Sequence, residues 1–378
     1  MNSSYIQRSA KLPPNDYDDN ETHTAYDHCL WLEKFDSWNT FVDETVSEEV
    51  RMDMPPAIAA RVLGYAIRVA PNDSGRNALV SDILACGKSP ELLAGVAHFY
   101  VYGLCRIFYN PFNGLPSRPI PDGTPRLSLE AIEADQSLLS EYSSDRARLR
   151  IQTLLRDNNR CVFTGCLDYQ QFVHEWKVTG GKVHPCTCGP TNVAHIISQS
   201  LLENISGINP AVQAKFEWAR TAGAMLQHFG GFKAHNLSDE ILHSPKNAFT
   251  ASLTPLVLFE DLKIWLTPVK DVETQAIIPN TYRLNHYLGN EHIPFGIQDA
   301  KSEVNFRSIS IGGIVIPPPD PQLIVLHGVC AEIVCKSDAM DYLEERYKDI
   351  EPFAAMTASG AVNELTRVLK TMQMAADT

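Results

Sequence analysis

Apolar residues recur at helical spacing through the first third of the chain. Between residues 26 and 109 they repeat every three to four positions in three runs, YDHCLWLEKFDSWNTFVDETV, PPAIAARVLGYAIRVAP and SPELLAGVAHFYVYGLCRIFY. Pro55-Pro56 and Ser89-Pro90 are typical of helix starts. The pattern predicts a helical N-terminal region over residues 26–150 and, because residues 1–25 are polar and aperiodic, a disordered tail before it.

The pattern changes in the middle of the chain. After a stretch with five prolines over residues 110–126, helical spacing resumes and then gives way to short strand-like or turn-bounded runs, CVFTG, TNVAHIIS and KNAFTASL. A helix is expected over residues 254–265. Further on, SISIGGIVIPPP resembles strands and LIVLHGVCAEIVCKS a helix. This predicts an α+β fold with a central domain at residues 151–270 and a mixed C-terminal accessory region at 271–378.

Charge and composition narrow the choice of partners. The 378 residues carry a formal charge of -13, which disfavours nucleic acid as a partner without excluding a local basic patch. Five arginines over residues 146–160 are interpreted as a solvated helix face, with phosphate contact as the alternative. The N-terminus lacks a signal-peptide pattern and no run of 18 apolar residues occurs, so we expect an intracellular protein, cytoplasmic or nuclear, with no membrane partner.

Three short motifs follow one another in the central region. Residues 156–165 read RDNNRCVFTG, residues 194–197 read AHII, and residues 246–250 read KNAFT, followed by LFE at 258–260 and LKIW at 262–265. In order and spacing they resemble the RDxxRCxxTG, AHI, EN(L/V)xTL, HxLFD and LKxW segments of the HNH endonuclease domains abundant in fungal genomes. The resemblance implies a central ββα-metal domain and a hydrolase that uses a divalent metal, Mg²⁺ or Mn²⁺, to cleave phosphodiesters.

The resemblance also assigns roles to two residues. It implies that His195 is the general base that takes a proton from water, with the metal stabilising the charge that grows on the phosphate. It implies that Asn247 holds the geometry, either by fixing the loop or by orienting the histidine ring.

The helix departs from the family pattern. The family's helix histidine falls on Leu256, and the aspartate after the phenylalanine becomes Glu260. Leucine cannot bind a metal, and hard cations need several oxygen or nitrogen ligands. Glu260, Asp261 or His243 are the candidates to replace the lost ligand. We therefore expect a degenerate active site, in which His195 is either a core residue or a retained acid/base.

Three functions remain open at this point. The first is a nuclease with a rearranged metal site. The second is an HNH scaffold repurposed to bind or transform a small molecule, as in fungal specialised metabolism. The third is a binding module without catalysis.

Cysteines offer a second candidate site. The chain has nine, and Cys161, Cys166, Cys186 and Cys188, with His184 nearby, could close a tetrahedral structural zinc site. The spacing is not that of common CxxC knuckles. The alternative is that these are buried, reduced thiols.

Overall fold

The computed structural model describes residues 4–5, 10–38, 54–109, 145–181, 187–197, 222–233, 241, 243–287 and 300–348. The predicted mixed α+β character is confirmed, with small sheets among the helices. The proline-rich stretch at 110–126 and the predicted C-terminal helix beyond residue 348 lie outside the described residues.

The described helices and strands are as follows. The helices are α1 (Asn20–Leu32), α2 (Pro56–Val69), α3 (Asp73–Cys86), α4 (Pro90–Phe99), the π-helix Tyr100–Cys105, α5 (Arg106–Phe108), α6 (Asp145–Arg156), α7 (Tyr169–Val178), α8 (Leu253–Glu260), α9 (Pro321–Ser337) and α10 (Ala339–Lys348), with a 3-10 turn at Pro245–Asn247. The strands are β1 (Ser4–Tyr5), β2 (Leu167–Asp168), β3 (Cys188–Gly189), β4 (Thr191–His195), β5 (Ala248–Ser252), β6 (Ile264–Lys270), β7 (Ile277–His286), β8 (Glu303–Asn305), β9 (Ile309–Ile311) and β10 (Ile314–Ile316). Residues 222–230 are also helical.

The chain divides into two compact units, each built from separate stretches of sequence. The unit that holds all of the described strands, here the mixed unit, comprises Met1–Ile6, Phe108–Gln199 and Leu237–Gly328. The other, here the helical unit, comprises Gln7–Ile107, Ser200–Asn236 and Val329–Thr378. This division differs from the contiguous regions expected from the sequence, because hydrophobic periodicity does not reveal which distant segments share a core.

Two helices of the helical unit begin at the prolines that the sequence indicates as helix starts. Helix α2 starts at Pro56 and α4 at Pro90, with the Ser89 side chain accepting from the Leu92 N–H. Proline suits the first turn because its missing N–H would have no helical partner there. Among the described residues, none of these helices is long and apolar enough to cross a membrane, and the same holds for those of the mixed unit.

Residues 10–25 are ordered, unlike the disordered tail expected over 1–25; residues 1–3 and 6–9 lie outside the described part. Helix α1 begins at Asn20, and residues 10–18 before it belong to no helix or strand. Leu12 is buried, its N–H donates to the Glu33 carboxylate at 3.1 Å, and the Tyr65 hydroxyl donates to the Lys11 carbonyl at 2.8 Å. Side chains distant in sequence thus satisfy a polar backbone that carries no periodic signal of its own.

In the mixed unit, the largest sheet has the strand order β1-β7-β6, with β8 also paired to β7. Strands β6, β7 and β8 are antiparallel, and β1 runs parallel to β7. Helix α9 lies against β6, where a Cβ on Gly328 would stand 2.6 Å from the Leu266 carbonyl oxygen. Glycine is needed at this position because a side chain would collide with the strand backbone.

A strand pair followed by a helix lies at the centre of the mixed unit. Strands β4 and β5 are antiparallel, with register from Thr191 opposite Ser252 to His195 opposite Ala248, and α8 follows β5 without an intervening residue. The helix is shorter than the predicted 254–265. It ends because Leu262 takes a left-handed conformation (φ 58°) and Ile264 already belongs to β6.

Candidate functional site

His195 is the last residue of β4 and is buried, with 8% of its surface exposed. Its backbone lies beside the carboxyl group of Glu260 at the end of α8 and acts to lower the pKa of that group. The end of the strand and the end of the helix are therefore neighbours in the fold.

Asn247 fixes the backbone that follows His195. It is fully buried; its Oδ1 accepts from the Ile197 N–H at 2.8 Å and its Nδ2 donates to the Ile197 carbonyl at 3.1 Å. Its own carbonyl accepts from the Ile196 N–H at 2.9 Å. Of the two roles that the resemblance implied for this asparagine, these contacts correspond to fixing the loop.

The RD pair of the opening motif lies inside the mixed unit. Arg156 forms a two-pronged ion pair with Asp157, through Nε at 2.8 Å and Nη2 at 3.0 Å. The same guanidinium donates to the carbonyls of Pro245 and Ala248, both at 2.8 Å, while Asp157 accepts from the Thr250 N–H at 2.7 Å. The ion pair thus holds both the turn that carries Asn247 and the strand β5 behind it.

The interpretation of the arginine-rich stretch as a solvated helix face is wrong for two of its members. The Arg156 side chain is fully buried. Arg150 donates to the Thr191 carbonyl at 2.9 Å and pairs with the buried Asp168 at 3.3 Å. Both charges are compensated inside the unit because burying a guanidinium requires carboxylates and carbonyls around it.

Helix α8 presents an apolar face to the strand pair. Leu256, at the position of the family's helix histidine, is 1% exposed, and Glu260 follows one turn later at 3%. Between them, Phe259 packs on Phe249 with ring centroids 5.0 Å apart and stacks flat on His327 at 3.8 Å. The side chains that surround the ligand position are therefore those of a hydrophobic core.

The candidate ligands around α8 are held in other roles. Burial raises the pKa of Glu260 to about 8, opposed by the hydrogen bond from the His195 N–H and reinforced by the nearby Asp261. Asp261 pairs with Lys263 at 3.1 Å, and His243 lies half-buried before the 3-10 turn. Among the described residues, no group of three or more His, Cys, Asp or Glu side chains is arranged to hold a metal ion.

These donors do not fit the Mg²⁺ or Mn²⁺ that the resemblance implies. Such ions need several oxygen or nitrogen ligands, and a carboxyl group must lose its proton to serve as one. Here the helix offers the alkyl side chain of Leu256 and a carboxyl group whose burial favours the protonated form.

Three of the four predicted zinc ligands are described. Cys161 is buried and its sulfur accepts from the Ser252 hydroxyl at 3.3 Å, Cys166 is buried, and Cys188 is half-exposed in β3. Cys186 and His184 lie outside the described residues, so the zinc site stays a prediction.

Sequence reasoning missed two contributors to this region. One is the Arg156–Asp157 ion pair, although two adjacent opposite charges ahead of the apolar run CVF were a signal that they are used internally. The other is His327, a fully buried histidine on α9 whose Nε2 lies 3.1 Å from the Phe259 carbonyl. A lone histidine in the apolar run LIVLHGVC was its signal.

Comparisons with known proteins add no relative: no family model, no curated protein and no solved structure matches this chain. The geometry of the mixed unit must therefore carry the functional proposal by itself.

Proposed function

We propose that this chain is an HNH-like protein that keeps the ββα scaffold but has lost metal-dependent phosphodiester hydrolysis, and that it acts as a non-catalytic module. The observation that carries the proposal is Leu256. It occupies the position on α8 where the resemblance expects a metal ligand, it is buried, and its alkyl side chain has no atom that can bind a metal.

The order of elements supports the scaffold part of the proposal. An antiparallel strand pair ends in His195 and continues through the turn of Asn247 into β5 and α8, which is the order that the HNH resemblance implies. The asparagine still fixes the loop after the histidine.

The electrostatics of this region support the proposed loss of metal-dependent hydrolysis. A metal-activated water needs a cation held by ionised or neutral donors in a site open to substrate. Near β4 and α8, His195, Leu256 and Glu260 are buried, and burial favours the protonated form of the Glu260 carboxyl. Asp261 is paired with Lys263. These features are those of a packed core.

Plasmid cleavage tests the proposal. Purified wild type, His195→Ala and Leu256→His are incubated with supercoiled plasmid and Mg²⁺ or Mn²⁺, and Mn²⁺ binding is measured on the same samples by calorimetry. Val257→His is the matched control, because it places a histidine one residue away on the exposed side of the same helix.

We expect wild type and His195→Ala to nick the plasmid at the same background rate, and Leu256→His, but not Val257→His, to gain Mn²⁺ binding. If wild type cleaves in a metal-dependent manner and His195→Ala does not, the proposal is wrong. That comparison remains decisive even if Leu256→His fails to fold, which thermal unfolding would reveal.

A further inference from the structure

Residues 10–16 of the helical unit are held on α1 and α2 mainly through their backbone. The Leu12 N–H donates to the carboxylate of Glu33, the residue that caps α1, at 3.1 Å. The Tyr65 hydroxyl of α2 donates to the Lys11 carbonyl at 2.8 Å. Because this segment belongs to no helix or strand, side chains of the two helices supply hydrogen bonds that regular structure would otherwise provide.

A second set of contacts holds the proline pair of the segment. The Tyr26 hydroxyl of α1 donates to the Pro13 carbonyl at 3.0 Å and accepts from Arg68 Nε at 2.9 Å. Arg68 Nη2 donates to the Pro14 carbonyl at 2.8 Å and to the Asp16 carboxylate at 2.7 Å. One tyrosine and one arginine thus bind the prolines by their carbonyls and the aspartate by its side chain.

The side chain of Leu12 is buried against α2, whereas those of Lys11 and Asp16 are exposed. A Cβ on Gly64 would stand 2.5 Å from Leu12 Cδ2, so the missing side chain of the glycine provides the space that the leucine fills. The surface of α2 is therefore shaped for a leucine at this position of the segment.

These contacts are of the kind that binding modules use for proline-rich peptides. Aromatic side chains bind the backbone of such a peptide, and pockets for single side chains give the specificity. Each proline fixes its own φ angle and favours extended backbone in the residue before it, so little conformational entropy is lost on docking. Because every peptide has carbonyls, the leucine pocket and Arg68 are the features that select a sequence.

The surface that binds the segment, here the α1–α2 surface, consists of Tyr26, Glu33, Gly64, Tyr65 and Arg68. We propose that it is a binding site for a Leu-Pro-Pro-x-Asp segment of a partner protein, and that residues 12–16 occupy it as an internal competitor. This site lies in the helical unit, and neither its geometry nor its test depends on the loss of catalysis proposed for the mixed unit.

The covalent attachment of the internal segment determines how a partner binds. A short flexible connection holds a tethered ligand at an effective concentration of roughly millimolar. A separate peptide of the same sequence must compete with that concentration, so it binds weakly to the wild type. It binds tightly only to a chain whose own segment has been released.

The test measures binding of a fluorescein-labelled peptide of residues 9–17, SAKLPPNDY, to three full-length chains. These are wild type, Leu12→Asp and Lys11→Asp. Leu12→Asp releases the internal segment because it places a carboxylate in the apolar space over Gly64. Lys11→Asp is the matched control, because it introduces the same side chain at the neighbouring exposed position.

We expect Leu12→Asp to bind the peptide at least about tenfold more tightly than wild type or Lys11→Asp, since its α1–α2 surface is free of the tethered competitor. A peptide that itself carries Leu12→Asp should bind none of the three chains. If a folded Leu12→Asp chain binds the peptide no better than Lys11→Asp does, the proposal is overturned.

A second measurement uses the wild type alone and decides the question even if Leu12→Asp fails to fold. Trypsin cleaves after Lys11 only when the internal segment leaves the surface. An excess of the peptide with Lys11→Ala, which lacks this cleavage site, should therefore accelerate cleavage of the chain after Lys11, as measured by mass spectrometry. An unchanged rate contradicts the proposal. If wild type is a dimer in size-exclusion chromatography and Leu12→Asp a monomer, the occupant is a second copy of this chain and the proposal of a partner protein is wrong.

Discussion

Two regions of the mixed unit differ in how closely they match the HNH segments. At the opening motif, Arg156 and Asp157 match the HNH segment, pair with each other, and also bond to the backbone of the turn before β5 and of β5 itself. At α8, Leu256 stands where the HNH resemblance expects a metal ligand, and it is buried as a core residue. The first region holds backbone segments together, whereas the resemblance implies only an ion for the second.

The difference teaches which residues the scaffold needs. If one partner of a buried ion pair is removed, the other charge is left buried without compensation, which is strongly destabilising. A metal ligand on a helix can become leucine if the space is then filled by packing. We therefore interpret the resemblance that remains as a record of folding constraints, and the following predictions test that interpretation.

The largest effect is expected from Arg156→Ala. It leaves the Asp157 carboxylate and the carbonyls of Pro245 and Ala248 without their partner, so the free energy of unfolding should fall by about 3–5 kcal/mol. The control is Arg160→Ala, which removes one bond to the Gly165 carbonyl and should cost about 1 kcal/mol. Urea unfolding measures both. If Arg156→Ala and Arg160→Ala lower the free energy of unfolding by the same amount, the Arg156–Asp157 ion pair does not stabilise the fold in the way proposed.

Leu256→Ala should be the next most damaging change. Truncating this buried side chain leaves a cavity under α8, and we expect a loss of about 2–4 kcal/mol. Val257→Ala, on the exposed side of the same helix, should cost less than about 1 kcal/mol. If Leu256→Ala lowers the free energy of unfolding no more than Val257→Ala does, Leu256 is not packed as a core residue. The contrast between α8 and the opening motif would then be wrong.

Asn247→Ala tests the link between the two regions. It leaves the buried N–H and carbonyl of Ile197 without their side-chain partner, which should cost about 1–3 kcal/mol. The half-buried Asn192 of β4, whose side chain accepts from the neighbouring Val193 N–H, provides the control. Hydrogen exchange at the Ile197 amide should accelerate in Asn247→Ala and stay unchanged in Asn192→Ala.

The smallest effect is a dependence on pH. Burial lowers the pKa of His327 to about 3 and that of His98 to about 4, below the 6.5 expected when unfolded. The unfolded chain therefore binds protons first as the pH falls, so stability is full above pH 6.5 and declines below it, by at most about 1.4 kcal/mol per pH unit for each group.

Replacing one of these histidines should flatten that decline. His327→Phe can keep the stacking on Phe259 but cannot bind a proton. Urea unfolding at pH 7 and pH 5.5 should show a smaller difference for His327→Phe than for wild type. If the stability difference between the two pH values is the same in His327→Phe and wild type, His327 does not contribute to the acid sensitivity, and the interpretation of His327 as an unprotonated core residue beside α8 is wrong.

Local pattern predicted the elements better than their ends. Pro56 and Pro90 began their helices as expected, because proline and the capping serine act within one turn. The helix expected to reach Trp265 stopped at Glu260, because Ile264 and Trp265 pair instead with His286 and Asn285 of β7. The order of residues 10–19 was missed for the same reason: the partners of this segment are Glu33, which caps the end of α1, and Tyr65 on α2.

The sequence by itself determined the identity of each residue of the motifs: His195 and Asn247 are present, and position 256, where the HNH resemblance expects a ligand, is leucine. Only the tertiary structure decided what those residues do. Burial, and the partners brought from distant segments, made the Arg156 side chain a support for the backbone of β5 and made Asn247 a support for the backbone at Ile197. Solvation and partner distance set the energy of a polar group, and neither is a property of the residue alone.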